Sequence, residues 1–323
     1  MQMPSLTIGP LTARLPIIQG GMAVRISLAP LAAAVAKAGG IGIIAGTGLS
    51  PEELRAEIRA ARAETDGIIG VNVLVAYRHF AELIKTAIAE GIDLVIAGAG
   101  FSRDVFEWTR EADVPMVPVV GSERVAQLAQ RFGAAAVVVE GVEAGGHLGT
   151  DESVRDLLPR ILEAVDIPVV AAGDIVTGAD IHEMIAAGAV GVQMGTRFCD
   201  TVESSAPLAF KQMHLDATQD DIVIMRSPVG LPGRAVRNAF TTSIEGGIDE
   251  KITGCIGCLK SCGKQYCIVD KLLRAQKGDV VDGLVFTGNS AARIHDIPTV
   301  RELIDRLIAE YDVASDAAAG APA

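Results

Sequence analysis

The stretch VVVEGVEAGGHLG, Val137 to Gly149, changes character half-way along. Its apolar β-branched run, with Ala136 before it, has the near-continuous hydrophobicity of a strand buried on both faces. It stops at Glu140-Gly141, ahead of a loop carrying Glu143, Gly145, Gly146 and His147. A strand therefore delivers chemistry into a loop. Two glycines before a histidine remove side-chain bulk and permit unusual backbone angles, so a flat ligand can lie close to the imidazole. A glycine-rich turn with a solvated histidine has the same letters.

Seven more segments share the strand half of that pattern: Pro16–Gly20, Ile41–Gly46, Ile68–Val73, Asp93–Gly98, Pro115–Gly121, Pro168–Gly173 and Val190–Gly195, with Ala135–Gly141 sixth in order. Helical periodicity fills the intervals at Leu28–Ala38, Pro51–Glu64, Phe80–Glu90, Ser102–Glu111, Ser122–Phe132, Val154–Val165 and Gly178–Ala187. Ser50-Pro51-Glu52-Glu53 reads as a helix start, with a capping serine, proline at the first helical position and acids in the first turn. Eight such units in about 200 residues predict a closed (β/α)8 TIM barrel. A doubly wound open sheet is the competing architecture.

The chain has 323 residues, 50% of them hydrophobic, enough for one large core with an insert. A formal charge of −12 argues against a nucleic-acid or anionic-membrane partner, since both need a basic face. No leader pattern opens the sequence and no apolar run is long enough to span a bilayer, so a cytoplasmic protein is expected. The charge is unevenly spread. Met225 to Lys277 holds nine Lys and Arg against four Asp and Glu, a net +5, leaving −17 elsewhere. The reading is a barrel over 1–219, a basic, cysteine-bearing lid over 220–290, a helix packing back on the barrel over 291–312, and a disordered tail over 313–323. Leu303, Ile304, Leu307 and Ile308 supply that helix's apolar face.

Seven of the eight strands end in glycine, which lets a ligand lie against the carboxyl face where barrel enzymes place their sites. Ala171-Ala172-Gly173-Asp174 and Gln193-Met194-Gly195-Thr196 follow the seventh and eighth strands, where such barrels hold phosphate. Gly98-Ala99-Gly100-Phe101-Ser102-Arg103 fails the dinucleotide fingerprint at its last glycine. FMN is thus favoured over a dinucleotide in a Rossmann site.

Gln19-Gly20-Gly21-Met22, Gly70-Val71-Asn72, Glu143-Ala144-Gly145-Gly146-His147, Ala171-Ala172-Gly173 and Gln193-Met194-Gly195-Thr196 together resemble the nitronate monooxygenase (2-nitropropane dioxygenase) family. That family includes flavin-type enoyl-acyl-carrier-protein reductases. The similarity spans Pro16 to Arg197, and Asp282-Gly283-Leu284 to Asn289 is similar to a cysteine-bearing branch. The resemblance implies FMN contacts from Met22, Asn72, Gly173, Gly195 and Thr196, with Gly21, Gly145, Gly146, Gln193 and Met194 of the same motifs beside them. It implies His147 as the acid/base residue beside the flavin; with a pKa near neutrality, an imidazole there could remove or supply a proton. Two departures bear on substrate. Gly20-Gly21-Met22 stands where well-defined nitronate monooxygenases tend to have Ala-Pro-Met, and Asp174 stands where a second glycine is usual.

Cys255-x2-Cys258-x3-Cys262-x4-Cys267 places four thiols in thirteen residues. Disulfides do not suit the expected compartment. The compact, uneven spacing suits an iron–sulfur cluster such as [4Fe–4S] better than paired zinc knuckles, although zinc and reduced structural thiols remain alternatives. Cys199 is read as core. His79, His182, His214 and His295 are read as surface or capping residues, and Glu140 or Glu143 as a candidate to orient His147.

Two reactions compete on a small-molecule substrate: oxidation of alkyl nitronates with oxygen, and NAD(P)H-dependent reduction of an activated double bond, as in an enoyl thioester, or of a quinone. A flavin- or metal-loaded binding module without turnover is the reading from another class. A homodimer and an acidic carrier protein are the expected partners.

Overall fold

The computed structural model describes residues 2–320. Eight parallel strands form one sheet: Ile17–Gln19, Gly42–Ala45, Ile69–Leu74, Leu94–Gly98, Met116–Val120, Val137–Glu140, Val169–Ala172 and Gly191–Met194. The second to eighth pair in chain order, and the eighth lies between the seventh and the first. A parallel bridge from Ile18 to Ile41 closes the ring. The expected barrel is observed, and the open sheet is not.

Strand periodicity sorts the side chains into two cores. Ile18, Ile43, Leu94, Ile96, Val117, Ala136, Val138 and Val170 fill the barrel interior. Leu6, Ile8 and Ala13, from an antiparallel hairpin of Leu6–Ile8 with Leu11–Ala13, pack with them. The alternate residues, such as Ile17, Ile44, Val71, Val95, Val137 and Val169, pack outward with the helical layer.

Helices occupy Ala29–Lys37, Pro51–Glu64, Phe80–Ala89, Arg103–Glu111, Glu123–Phe132, Val154–Ala164 and Gly178–Ala186. Each lies within a residue or so of its expected bounds. Ser50 and Glu53 form the reciprocal capping box: Ser50 Oγ accepts from Glu53 N at 3.2 Å and Glu53 Oε2 from Ser50 N at 2.8 Å.

Beyond the eighth strand come a short helix, Thr196–Cys199, and a longer one, Leu208–Asp216. The segment read as a basic, cysteine-bearing lid holds two helices, Ala239–Glu245 and Ile268–Gln276. The second of them buries Ile268, Lys271 and Ala275 on one face. Lys271 hides the pattern, because a charge occupies a core position; its ammonium is 2.7 Å from Glu250. A hairpin of Ile222–Met225 and Gly233–Val236 takes a third antiparallel strand from the barrel, Gly146–His147.

The final helix runs Val300–Gly320, so 313–320 is helical where a disordered tail is expected, while 321–323 lie outside the described residues. Alanine is the strongest helix former, and Tyr311 and Ser315 are buried on the helix's inner side. No helix among the described residues is long and apolar enough to cross a membrane.

This helix packs against Gly178–Ala186, where Gly178 leaves no room for a side chain. A Cβ there would stand 2.1 Å from the Leu307 carbonyl oxygen and 2.4 Å from Tyr311 N. Gly178→Ala is expected to destabilise the protein by about 1–3 kcal/mol through overpacking. The readout is a lower urea midpoint with an unchanged m-value.

Candidate active site

The carboxyl ends of the eight strands converge on one cavity. Gly21, Met22, Asn72, Gly145, Gly146, His147, Gly173, Gln193, Met194, Gly195 and Thr196 all line it, although they come from five separate segments. Of the seven glycines that end strands, Gly20, Gly98, Gly173 and Gly195 line the cavity too, whereas Gly46, Gly121 and Gly141 do not. Gly141 is needed for packing, since a Cβ there would lie 2.2 Å from Val154 N.

Gly146 and Gly173 have φ of +81° and +114°, conformations that side-chain-bearing residues rarely adopt. A Cβ on Gly146 would meet nothing within 4 Å, and one on Gly195 would meet only Met22, at 4.0 Å. The cavity wall is therefore bare backbone at these two points. Gln193 Oε1 is buried beside it without a hydrogen-bond partner. A buried amide oxygen left unpaired is costly, and a polar ligand would satisfy it.

His147 is held by the hairpin that follows the barrel. Its backbone pairs with Gly233, its Nε2 lies 2.8 Å from Ser227 Oγ, and its ring meets Phe286 edge-on at 5.2 Å between centroids. Burial pulls the imidazole down to about 4, because the charged form loses its hydration. The expectation of a pKa near neutrality is corrected. At neutral pH the ring is uncharged.

Neither expected carboxylate orients it. Glu143 Oε2 accepts from Val154 N at 3.1 Å, at the start of the Val154–Ala164 helix. Glu140, the last residue of the sixth strand, faces the cavity, and burial pushes its carboxyl up to about 7. Asp174, at φ +55°, turns its carboxylate toward Arg155 at 3.5 Å and Arg293 at 3.8 Å. Its charge is thus offset.

His214, expected near the surface, is buried. Its Nδ1 lies 3.1 Å from both Asp200 oxygens and its Nε2 lies 3.2 Å from the Phe286 carbonyl oxygen. Cys199, Asp200 and His214 bring their ligand atoms within 4.8 Å of one another, but both imidazole nitrogens already have partners. Cys199 is buried as expected, and burial pushes its thiol up.

The sequence profile for nitronate monooxygenase matches residues 5–310. The chain belongs to the nitronate monooxygenase family. It is similar to FabK from Thermotoga maritima, with 32% identity and a TM-score of 0.85 over 94% of this chain and 95% of that one. It is also similar to a nitroalkane oxidase from Streptomyces ansochromogenes, with 26% identity and a TM-score of 0.83 over 95% and 98% of the two chains. A third relative is the (3aS,4S,5R,7aS)-5-hydroxy-7a-methyl-1-oxo-octahydro-1H-indene-4-carboxyl-CoA dehydrogenase of Mycobacterium tuberculosis, 29% identical, covering 91% of this chain and 92% of that protein. This member of the nitronate monooxygenase family is an oxidoreductase.

Sequence reasoning missed the apolar side of the cavity: Tyr77, Val229, Leu259, Ile268, Leu272 and Phe286. It also missed Ser227, eighty positions from its partner His147. A lone serine between Arg226 and Pro228 carries no local signal.

The His147 ring is expected to titrate near pH 4 when followed by NMR of its ring nitrogens. A midpoint at the ordinary 6.5 would mean that water reaches the imidazole and the burial argument is wrong.

Proposed function

We propose that the protein is an FMN-dependent oxidoreductase that oxidises alkyl nitronates, or nitroalkanes after proton removal, with oxygen, and that His147 is its base. The observation that carries this reading is the neutral imidazole beside a glycine-lined cavity where the buried Gln193 amide oxygen is left without a hydrogen-bond partner. Bare backbone at Gly146 and Gly195 suits a flat ring system, which fits FMN to the residues present.

In this reading Gly21, Met22, Asn72, Gly145, Gly146, Gln193 and Met194 surround the ring system. Backbone N–H groups at Gly173, Gly195 and Thr196 would hold its phosphate. The pairing of Asp174 with Arg155 and Arg293 keeps its carboxylate from opposing that anion. Bound there, FMN supplies the two-electron redox chemistry.

The protein's part is position and proton handling. The wall of Tyr77, Leu259, Ile268 and Leu272 holds the alkyl portion of the substrate and excludes water. His147, uncharged and fixed through Ser227 and Phe286, accepts the α-proton of a nitroalkane. An imidazole at about 4 is unprotonated at neutral pH and so free to accept a proton, while its low proton affinity sets a modest driving force for that transfer.

A second reading is redox chemistry on an acyl thioester, with NAD(P)H as co-substrate. It is favoured by the nearly full-length similarity to the mycobacterial dehydrogenase, whose name carries a CoA ester. Anaerobic titration separates the two. Bleaching of the flavin by an alkyl nitronate alone supports the first reading, rapid bleaching by NADH or NADPH supports the second, and protein purified with no flavin overturns both.

His147→Ala is expected to retain flavin and to lower kcat on a nitroalkane by about 10²–10⁴-fold, the usual contribution of a positioned base. Because the unprotonated ring is the working form, wild-type kcat is expected to stay flat through neutral pH and to fall only as pH approaches about 4. Gly195→Val, which puts a branched side chain into the cavity, is expected to abolish flavin retention without unfolding the barrel, read as the absorbance ratio of flavin to protein.

A further inference from the structure

Phe286 sits in a short segment that runs beside the hairpin strand Gly233–Val236. Val236 N donates to the Val285 carbonyl at 2.9 Å and Thr287 N to that of Arg234 at 3.2 Å, with Phe286 opposite Ala235 in an antiparallel bridge. In such a pairing the neighbours of the bridged residue use the shared edge, and its own carbonyl points the other way. Among the described residues that carbonyl has no backbone donor. A main-chain carbonyl inside a protein needs a partner. His214, on the helix Leu208–Asp216, supplies one, with Nε2 at 3.2 Å.

The second ring nitrogen, Nδ1, lies 3.1 Å from each oxygen of Asp200, the residue after the Thr196–Cys199 helix. Asp200 and His214 are 0% and 1% exposed, so bulk water does not compete for these bonds. A carbonyl and a carboxylate both accept, whereas a neutral imidazole has one N–H; two acceptors therefore call for the doubly protonated ring. The other ionisable groups nearby are engaged elsewhere. The Lys211 ammonium donates to the Ser204 carbonyl at 3.1 Å, Glu203 accepts from Val300 N at 2.9 Å, and burial keeps the Cys199 thiol uncharged. Phe210 closes the site edge-on, 5.1 Å from the His214 ring.

We propose that His214 is a positioning residue for the active-site histidine: paired with Asp200 as imidazolium and carboxylate, it holds the Phe286 carbonyl and so keeps the Phe286 ring against His147. Each link is a direct contact. Phe286 meets His147 edge-on at 5.2 Å, and its Cε1 stands 3.0 Å from where a Cβ on Gly233 would be. Gly233 is the residue that pairs with His147 in the hairpin. The Phe286 ring is thus confined between the His147 ring and the backbone that carries it. Two residues on, Gly288 N donates to Thr196 Oγ1 at 2.8 Å, which fastens the same segment to the cavity rim. A hydrogen bond from a charged donor is stronger than one between neutral groups, which suits a side chain that has to hold backbone in place.

The test is NMR of the full-length protein with nitrogen-labelled histidine. At neutral pH both ring nitrogens of His214 are expected to carry protons; one bare nitrogen there overturns the proposal. In His214→Leu, which fills the space and donates nothing, the loosened Phe286 ring is expected to admit water, and the His147 titration midpoint to rise from about 4 toward the ordinary 6.5. His214→Gln, whose amide can still donate to the Phe286 carbonyl, is expected to bring the midpoint back toward the wild-type value. A lost bond that merely weakened the fold would lower the melting temperature of both variants and leave the midpoint alone. A wild-type midpoint in folded His214→Leu, or a midpoint that stays high in His214→Gln, overturns the proposal. Should His214→Leu fail to fold, Phe286→Leu, which keeps the backbone bond to His214, is expected to raise the midpoint, and an unchanged value is equally fatal. The proposal rests on the reading of His147 as the base only for what the positioning serves; ring protons are observed without turnover, so its failure and the failure of that reading are separate results.

Discussion

The bridge between Ile18 and Ile41 is the contact on which the other features depend. With Gln19 N donating to the Ile41 carbonyl and Ile41 N to that of Ile17, both at 2.9 Å, the sheet has no free edge. Closure forces all eight strand ends onto one rim, and with them residues as distant as Gly21 and Thr196. An open sheet of the same strands would spread those ends along a line. The interior stays filled because Leu6 and Ile8 pack with it, so the open space is confined to the carboxyl face.

A second constraint acts across the rim. Gly146 and His147 leave the barrel to join the hairpin of Ile222–Met225 and Gly233–Val236, which sets the direction of the imidazole and supplies Ser227. The same arrangement removes water from the ring and so lowers its pKa. One packing event thus determines both where the histidine points and which proton role suits it at neutral pH. Polar groups around the cavity follow the same economy. Asp174 and Glu143 are engaged with Arg155, Arg293 and the start of the Val154–Ala164 helix, whereas Glu140 and the Gln193 amide face the cavity.

The fold was legible because its signals are local and repeated. A buried parallel strand must be almost wholly apolar, and a helix such as Pro51–Glu64 announces itself through Ser50 and Glu53 within four residues. The glycines of the rim were legible for a related reason, since seven strands that end in glycine at one face ask for more than turns. The structure divides them nonetheless: Gly195 borders open space, while Gly141 gives way to the backbone of Val154.

By itself the sequence determined the (β/α)8 order and the glycines that end its strands, because these follow from spacing along the chain, while the family resemblance pointed to the other residues of the carboxyl rim. Tertiary structure alone decided the surroundings of those residues. Ser227 reaches His147 across eighty positions, His214 is buried against Asp200 and the Phe286 carbonyl, and Lys271 takes a core position because Glu250 pairs with it. Tyr311 and Ser315 find cover that makes the last turns of the chain helical. Desolvation and charge pairing depend on what lies nearby in space, and residues distant in sequence supply it.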